Sequence, residues 1–166
     1  MKIYLIFFLL KVFFSFNTSD VIEYARTWCN KMNPEFNIYG AEAVKEIGNF
    51  ASQCLYAGGQ SFSGCKGKDN KGMIPDIDYL IECLINKKGW KSSTSKISSF
   101  KPGYFVIRKG YSSPLIVTGI NGNNITYCRH KEFKCDEIID ADDVVYYYFI
   151  LELDLGIAEI HVLKKF

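Results

Sequence analysis

The order of its periodicities constrains this chain more than any single motif does. Segments with helical spacing come first, and most β-favouring runs follow. Ser19 or Asp20 can cap a first helix, in which Val21, Tyr24, Ala25, Trp28 and Met32 recur at helical spacing before Asn33-Pro34 ends it. Ala43 to Ala57 is a second amphipathic helix, closed by Gly58-Gly59. Gln60 to Met73 is polar and rich in Gly and Lys, and reads as a loop, with the Lys and Gly of "KGKDNKG" suggesting mobility. Pro75 opens a third helix, with Ile77, Leu80, Ile81 and Leu84 on one face and Gly89 past its end. Ser and Lys then dominate Lys91 to Lys101, and Pro102-Gly103 punctuates. Tyr104 to Arg108, Leu115 to Ile120, Asn124 to Arg129 and Val144 to Leu153 read as strands, with Asn121-Gly122 as a hairpin signal. Ile157 to Leu163 fits a strand or a short helix. Helices followed by an antiparallel sheet predict an α+β fold.

The chain has 166 residues, enough for one domain with a sizeable core. Its net charge of +2 is spread along the sequence, which excludes the clustered basic face of a nucleic-acid binder. Lys2 followed by the apolar run Ile3 to Leu10 fits a secretory signal peptide and is too short for a membrane span. Residues 1–18 are therefore expected to be the signal peptide, with cleavage between Ser15 and Ser19, and the mature protein is expected outside the cytosol. Beyond that segment stand Cys29, Cys54, Cys65, Cys83, Cys128 and Cys135, an even count that makes all six disulfide candidates. Cys128 and Cys135 flank a short connection and suit one bridge. Asn17-Thr18-Ser19 and Asn124-Ile125-Thr126 are glycosylation sequons. Neither the cysteines nor the two histidines have metal-ligand spacing, so no metal and no cofactor are expected. The acidic residues Asp136, Glu137, Asp140, Asp142 and Asp143 match no calcium motif and read as a solvated loop. Glu152 and Asp154 alternate with apolar neighbours as on a strand's solvent face, and His161 reads as a surface or edge residue.

Five segments in order, "YARTWCNKMNPEF", "NFASQCLYAGG", "KPGYFVI", "SPLIVTGI" and "ITYCRH", resemble the putative amidase domain. That family is similar to the cysteine amidases and peptidases with papain-like folds, among them the NlpC-type and CHAP domains. The resemblance implies a papain-like α+β domain over residues 19–150, with residues 151–166 as a C-terminal extension, expected to be a strand packed on it. It also implies a nucleophilic Cys at the N-terminus of the second helix. There the helix dipole and a nearby His lower the thiol pKa, and a third polar group orients that His. The family's helix starts Gly-Asp-Cys-Thr-Asn-Phe-Val-Ser-Gln. Asn49 to Gln53 align with it without gaps, which places Glu46 at the Asp, Ile47 at the Cys and Gly48 at the Thr. The later strand that should begin with His has Ser113 there, and the Gly-Asp before the preceding strand is Gly103-Tyr104. Tyr127 to His130 keep the family's Tyr-x-x-His.

Both catalytic positions are thus degenerate, at Ile47 and Ser113. Cys54 is about two turns beyond Ile47, roughly 10 Å along the axis and outside the reach of the dipole. It is expected to be a core thiol or half of a disulfide. Ser113 starts a strand before Pro114, and without a base an isolated serine is a weak nucleophile. His130 is either a cleft residue or a surface residue of the hairpin. The preferred expectation is a secreted pseudoenzyme whose cleft, with Asn49, Ser52, Gln53, Ser113 and His130, binds a peptide, a cell-wall glycopeptide or a protein partner. The alternatives are an active amide hydrolase that pairs Ser113 with His130, and a disulfide-stapled interaction module that keeps the fold as a frame.

Overall fold

The computed structural model describes residues 16–39, 43–96, 98, 100–110, 113–130 and 134–150. Expectations for the first 15 residues, and those placed on Glu152, Asp154, His161 and the C-terminal extension, lie outside this range. The order is α1 (Thr18–Trp28), α2 (Ala43–Ala57), α3 (Ile77–Lys87), then strands β1 (Trp90–Ser93), β2 (Phe105–Arg108), β3 (Pro114–Asn121), β4 (Asn124–Arg129), β5 (Lys134–Asp140) and β6 (Val144–Ile150). The expected α+β class holds. The strands form one six-stranded sheet in the order β1-β6-β2-β3-β4-β5, and every pairing in it is antiparallel. No helix among the described residues is long and apolar enough to cross a membrane.

Each helix is bounded by local chemistry. The α1 cap is Asn17, whose side chain accepts from Ser19 N at 3.0 Å; the helix stops at Trp28, so Met32 lies beyond it. Asp76 caps α3 by accepting from the amides of Asp78 and Tyr79, and Pro75 sits just outside. Gly122, at φ 58°, takes the first central position of the two-residue β3–β4 turn. A type II′ hairpin needs a positive φ there. Val21 and Ala25 of α1, Phe50, Ala51, Cys54 and Leu55 of α2, and Leu80 and Leu84 of α3 pack with Trp90, Phe105, Ile116 and Tyr147 in one core.

Two expectations need correction. The acidic run is not a solvated loop: Lys134–Asp140 is the edge strand β5, and Ala141–Asp143 is a 3-10 turn capped by Asp140. Its charged residues lie on an exposed sheet edge, where they oppose pairing with other chains. Gln60 to Met73 is the expected loop, joined to the rest of the fold by the Cys65–Cys83 disulfide and by Asp69. The Asp69 carboxylate accepts from the amides of Lys71 and Met73 and from the side chains of Asn37 and Tyr39. Only four of the six disulfide candidates are bridged, in Cys65–Cys83 and the expected Cys128–Cys135, while Cys29 and Cys54 are buried free thiols.

At the other end of the fold, Phe16 packs edge-on to Trp90 at 5.5 Å and stacks on Tyr104 at 6.3 Å. The Asn17 amide donates to Gly58 O at 2.9 Å. Both residues fall inside the stretch expected to be signal peptide, and both are part of the folded domain.

Candidate functional site

The site is built where the first turn of α2 meets the end of β4. Glu46 lies in that first turn, where a carboxylate is favoured by the helix dipole. Its Oε1 is 2.9 Å from His130 Nδ1, and its Oε2 accepts from Tyr39 N at 3.0 Å. One turn further along, Phe50 stacks on the His130 ring at 4.6 Å. The i, i+4 spacing of Glu46 and Phe50 puts both on the helix face turned toward the histidine. The other ring nitrogen, Nε2, is 3.0 Å from the backbone oxygen of Lys31.

These contacts fix the role of one ring nitrogen. A carbonyl oxygen only accepts, so Nε2 carries a hydrogen. Nδ1 then either donates to an ionised Glu46 or accepts from a protonated one. In both cases one proton is shared between the two residues, and both ring nitrogens are engaged. With side chains only 3% and 9% exposed, this is a closed buried pair. Of the two readings of His130, a surface residue of the hairpin is therefore overturned.

Ile47 follows Glu46 and is 9% exposed, buried yet outside the main core cluster. Ser113 immediately precedes β3 and is buried. The β3–β4 register pairs Ile116 with Cys128, and continuing it sets Pro114 opposite His130. The register thus sets the start of β3, which follows Ser113, beside the end of β4, which precedes His130, and the Glu46–His130 bond brings the first turn of α2 to the same histidine.

The other residues assigned to a cleft are also buried. Asn49 Nδ2 donates to Asn37 O at 2.8 Å. Ser52 Oγ donates to Asn49 O and accepts from Ile74 N at 3.2 Å, tying α2 to the segment before α3. Gln53 Oε1 accepts from Tyr24 OH at 2.7 Å, and that hydroxyl accepts from Asn33 Nδ2 at 2.9 Å. Burial pushes the Tyr24 hydroxyl well above its ordinary range, so it remains a donor. This chain of bonds joins the Tyr and Asn of "YARTWCNKMNP" to the Gln of "NFASQ", which gives those motif residues a structural role. Cys54 is fully buried, and desolvation pushes its thiol up, so it is the inert core thiol that its position two turns along the helix implies.

The model of the putative amidase domain matches residues 15–149. The chain belongs to this family. No curated protein and no solved structure matches it. The match spans α1 to β6 and begins just before Phe16, the first residue seen to pack in the fold. In this member of the putative amidase family, Glu46 is the site residue whose role motif spacing alone did not reveal. The available signal was a carboxylate at the family's Asp position beside a retained Tyr-x-x-His.

Proposed function

We propose that this chain is a non-hydrolytic member of the amidase family, acting outside the cytosol as a disulfide-stapled binding module. The observation that carries the reading is the closed His130–Glu46 pair beside Ile47. A nucleophile needs a base with a free nitrogen, and both His130 nitrogens are already bonded. Burial of Asn49, Ser52, Gln53 and Ser113 favours recognition through the surface around the site over recognition inside a deep groove. The partner classes that suit the family are a peptide, a cell-wall glycopeptide and a protein. Two disulfides support an oxidising compartment.

The test is hydrolysis of peptide amides and peptidoglycan fragments by wild-type protein and Ile47→Cys. Neither should turn over above background, because a thiol at position 47 gains no base. Turnover that Ile47→Cys creates, or that His130→Ala abolishes, would overturn the reading.

Processing is expected to leave Phe16 and Asn17 in the mature protein. Cleavage after Thr18 would remove the α1 cap, worth about 1 kcal/mol, together with the Phe16 aromatic contacts. The N-terminal sequence of protein secreted by a eukaryotic host should start at or before Phe16. A start at Ser19 or later would show that the fold does without these contacts.

A further inference from the structure

Three sulfurs meet where the end of α1 packs on the β4–β5 hairpin. Cys29 is a buried free thiol, while Cys128 and Cys135 are bonded across the two strands. The three Sγ atoms all lie within 4.8 Å of one another. We propose that they form an internal thiol–disulfide exchange site, in which Cys29 displaces Cys135 from Cys128 and frees Cys135 as a half-exposed thiol.

The step needs no outside oxidant. Cys29 gives up its proton to solvent, and its thiolate attacks Cys128 Sγ. The Cys29–Cys128 bond forms as the Cys128–Cys135 bond breaks, and Cys135 leaves as a thiolate that takes up a proton. Burial fixes the direction of attack. Cys128 is completely buried, so its departure would place a charge in the core, whereas Cys135 is only half-buried and its thiolate can be hydrated. Burial, with a further contribution from Asp136, pushes the Cys29 thiol up. The thiolate is then rare near neutral pH, which holds the exchange in check, but strongly nucleophilic once formed.

The backbone of the hairpin supports the same site. The β4–β5 register shifts between Tyr127 and Arg129, and Asp136, next to Cys135, is at φ 56°. The left-handed region is uncommon for a residue other than glycine, though Asp tolerates it. Asp136 is held there by Arg26 and Thr118, which bond its Oδ1 at 3.0 Å and 3.1 Å. Exchange would replace a staple within the hairpin by one between α1 and β4. That closes a loop of about a hundred residues and constrains the unfolded chain more strongly.

The experiment incubates the natively folded, oxidised full chain at mildly alkaline pH. Thiols are then trapped in acid with N-ethylmaleimide after denaturation, and disulfide-linked peptides are mapped by mass spectrometry. The expected result is a growing Cys29–Cys128 bridge with label on Cys135, while Cys65–Cys83 stays intact. Cys29→Ser should leave Cys135 unlabelled and bonded to Cys128. Label confined to Cys29 and Cys54 throughout would overturn the proposal, as would a Cys29–Cys54 bridge, because Cys29 would then have no thiol to offer. If Cys29→Ser does not fold, the wild-type time course still decides.

Discussion

Glu46→Ala should destabilise the protein by about 3–5 kcal/mol, because it strips the partner from two buried polar groups at about 1–3 kcal/mol each, more where one is charged. At this chain length that is a fall in Tm of the order of 10 °C. The loss has two sources. His130 would keep a buried Nδ1 with no carboxylate to share its proton, and Tyr39 N would lose the acceptor Glu46 Oε2. Glu46→Gln separates charge from hydrogen bonding. Its amide can donate to Nδ1 of a neutral imidazole, or offer its oxygen to Tyr39 N, so it should lie between wild type and Glu46→Ala. Urea unfolding followed by tryptophan fluorescence measures all three. An unchanged midpoint in Glu46→Ala would mean that the pair contributes nothing to holding the site closed, and the case against a catalytic His130 would lose its support.

The sequence made the outline of this site legible, but not its closure. The α2 limits could be read to the residue because Gly58-Gly59 stops the helix, and the core face recurs at helical spacing. Ile47 and Ser113 stood out because ungapped motifs flank them. The Glu46–His130 bond joins residues 84 apart in the chain, and only the folded arrangement of α2 on β4 brings them together. Both edge strands were missed for one physical reason. In β1 the sequence Trp-Lys-Ser-Ser buries only the tryptophan fully, and in β5 the sequence Lys-Cys-Asp-Glu-Ile-Ile-Asp buries only Ile139 fully. Edge strands are held by one neighbour only, and β5 also by the Cys128–Cys135 disulfide, so they do not need an apolar alternation and periodicity carries little signal there. Asn121-Gly122 correctly announced the hairpin, although the turn itself is Gly122-Asn123.

The second large effect is expected at Gly48. A Cβ built on Gly48 would lie 2.1 Å from Pro75 O, 2.8 Å from Pro75 C and 3.3 Å from Ile77 N. All three are backbone atoms, so no side chain can swing aside. The segment before α3 would have to move away from α2, against the bond from Ile74 N to Ser52 Oγ that ties it down one turn along. Gly48→Ala gains about 1 kcal/mol of helix propensity, whereas forcing atoms into a packed site typically costs about 1–3 kcal/mol and occasionally more. At 2.1 Å the clash should prevail, giving a net loss of stability, with Gly48→Thr worse than Gly48→Ala. Urea midpoints of the two variants check the order, and a Gly48→Thr protein as stable as wild type would show that α3 gives way easily. The expected loss carries a consequence for the site. A β-carbon at position 48 cannot be accommodated while α2 packs this closely on the backbone at the start of α3.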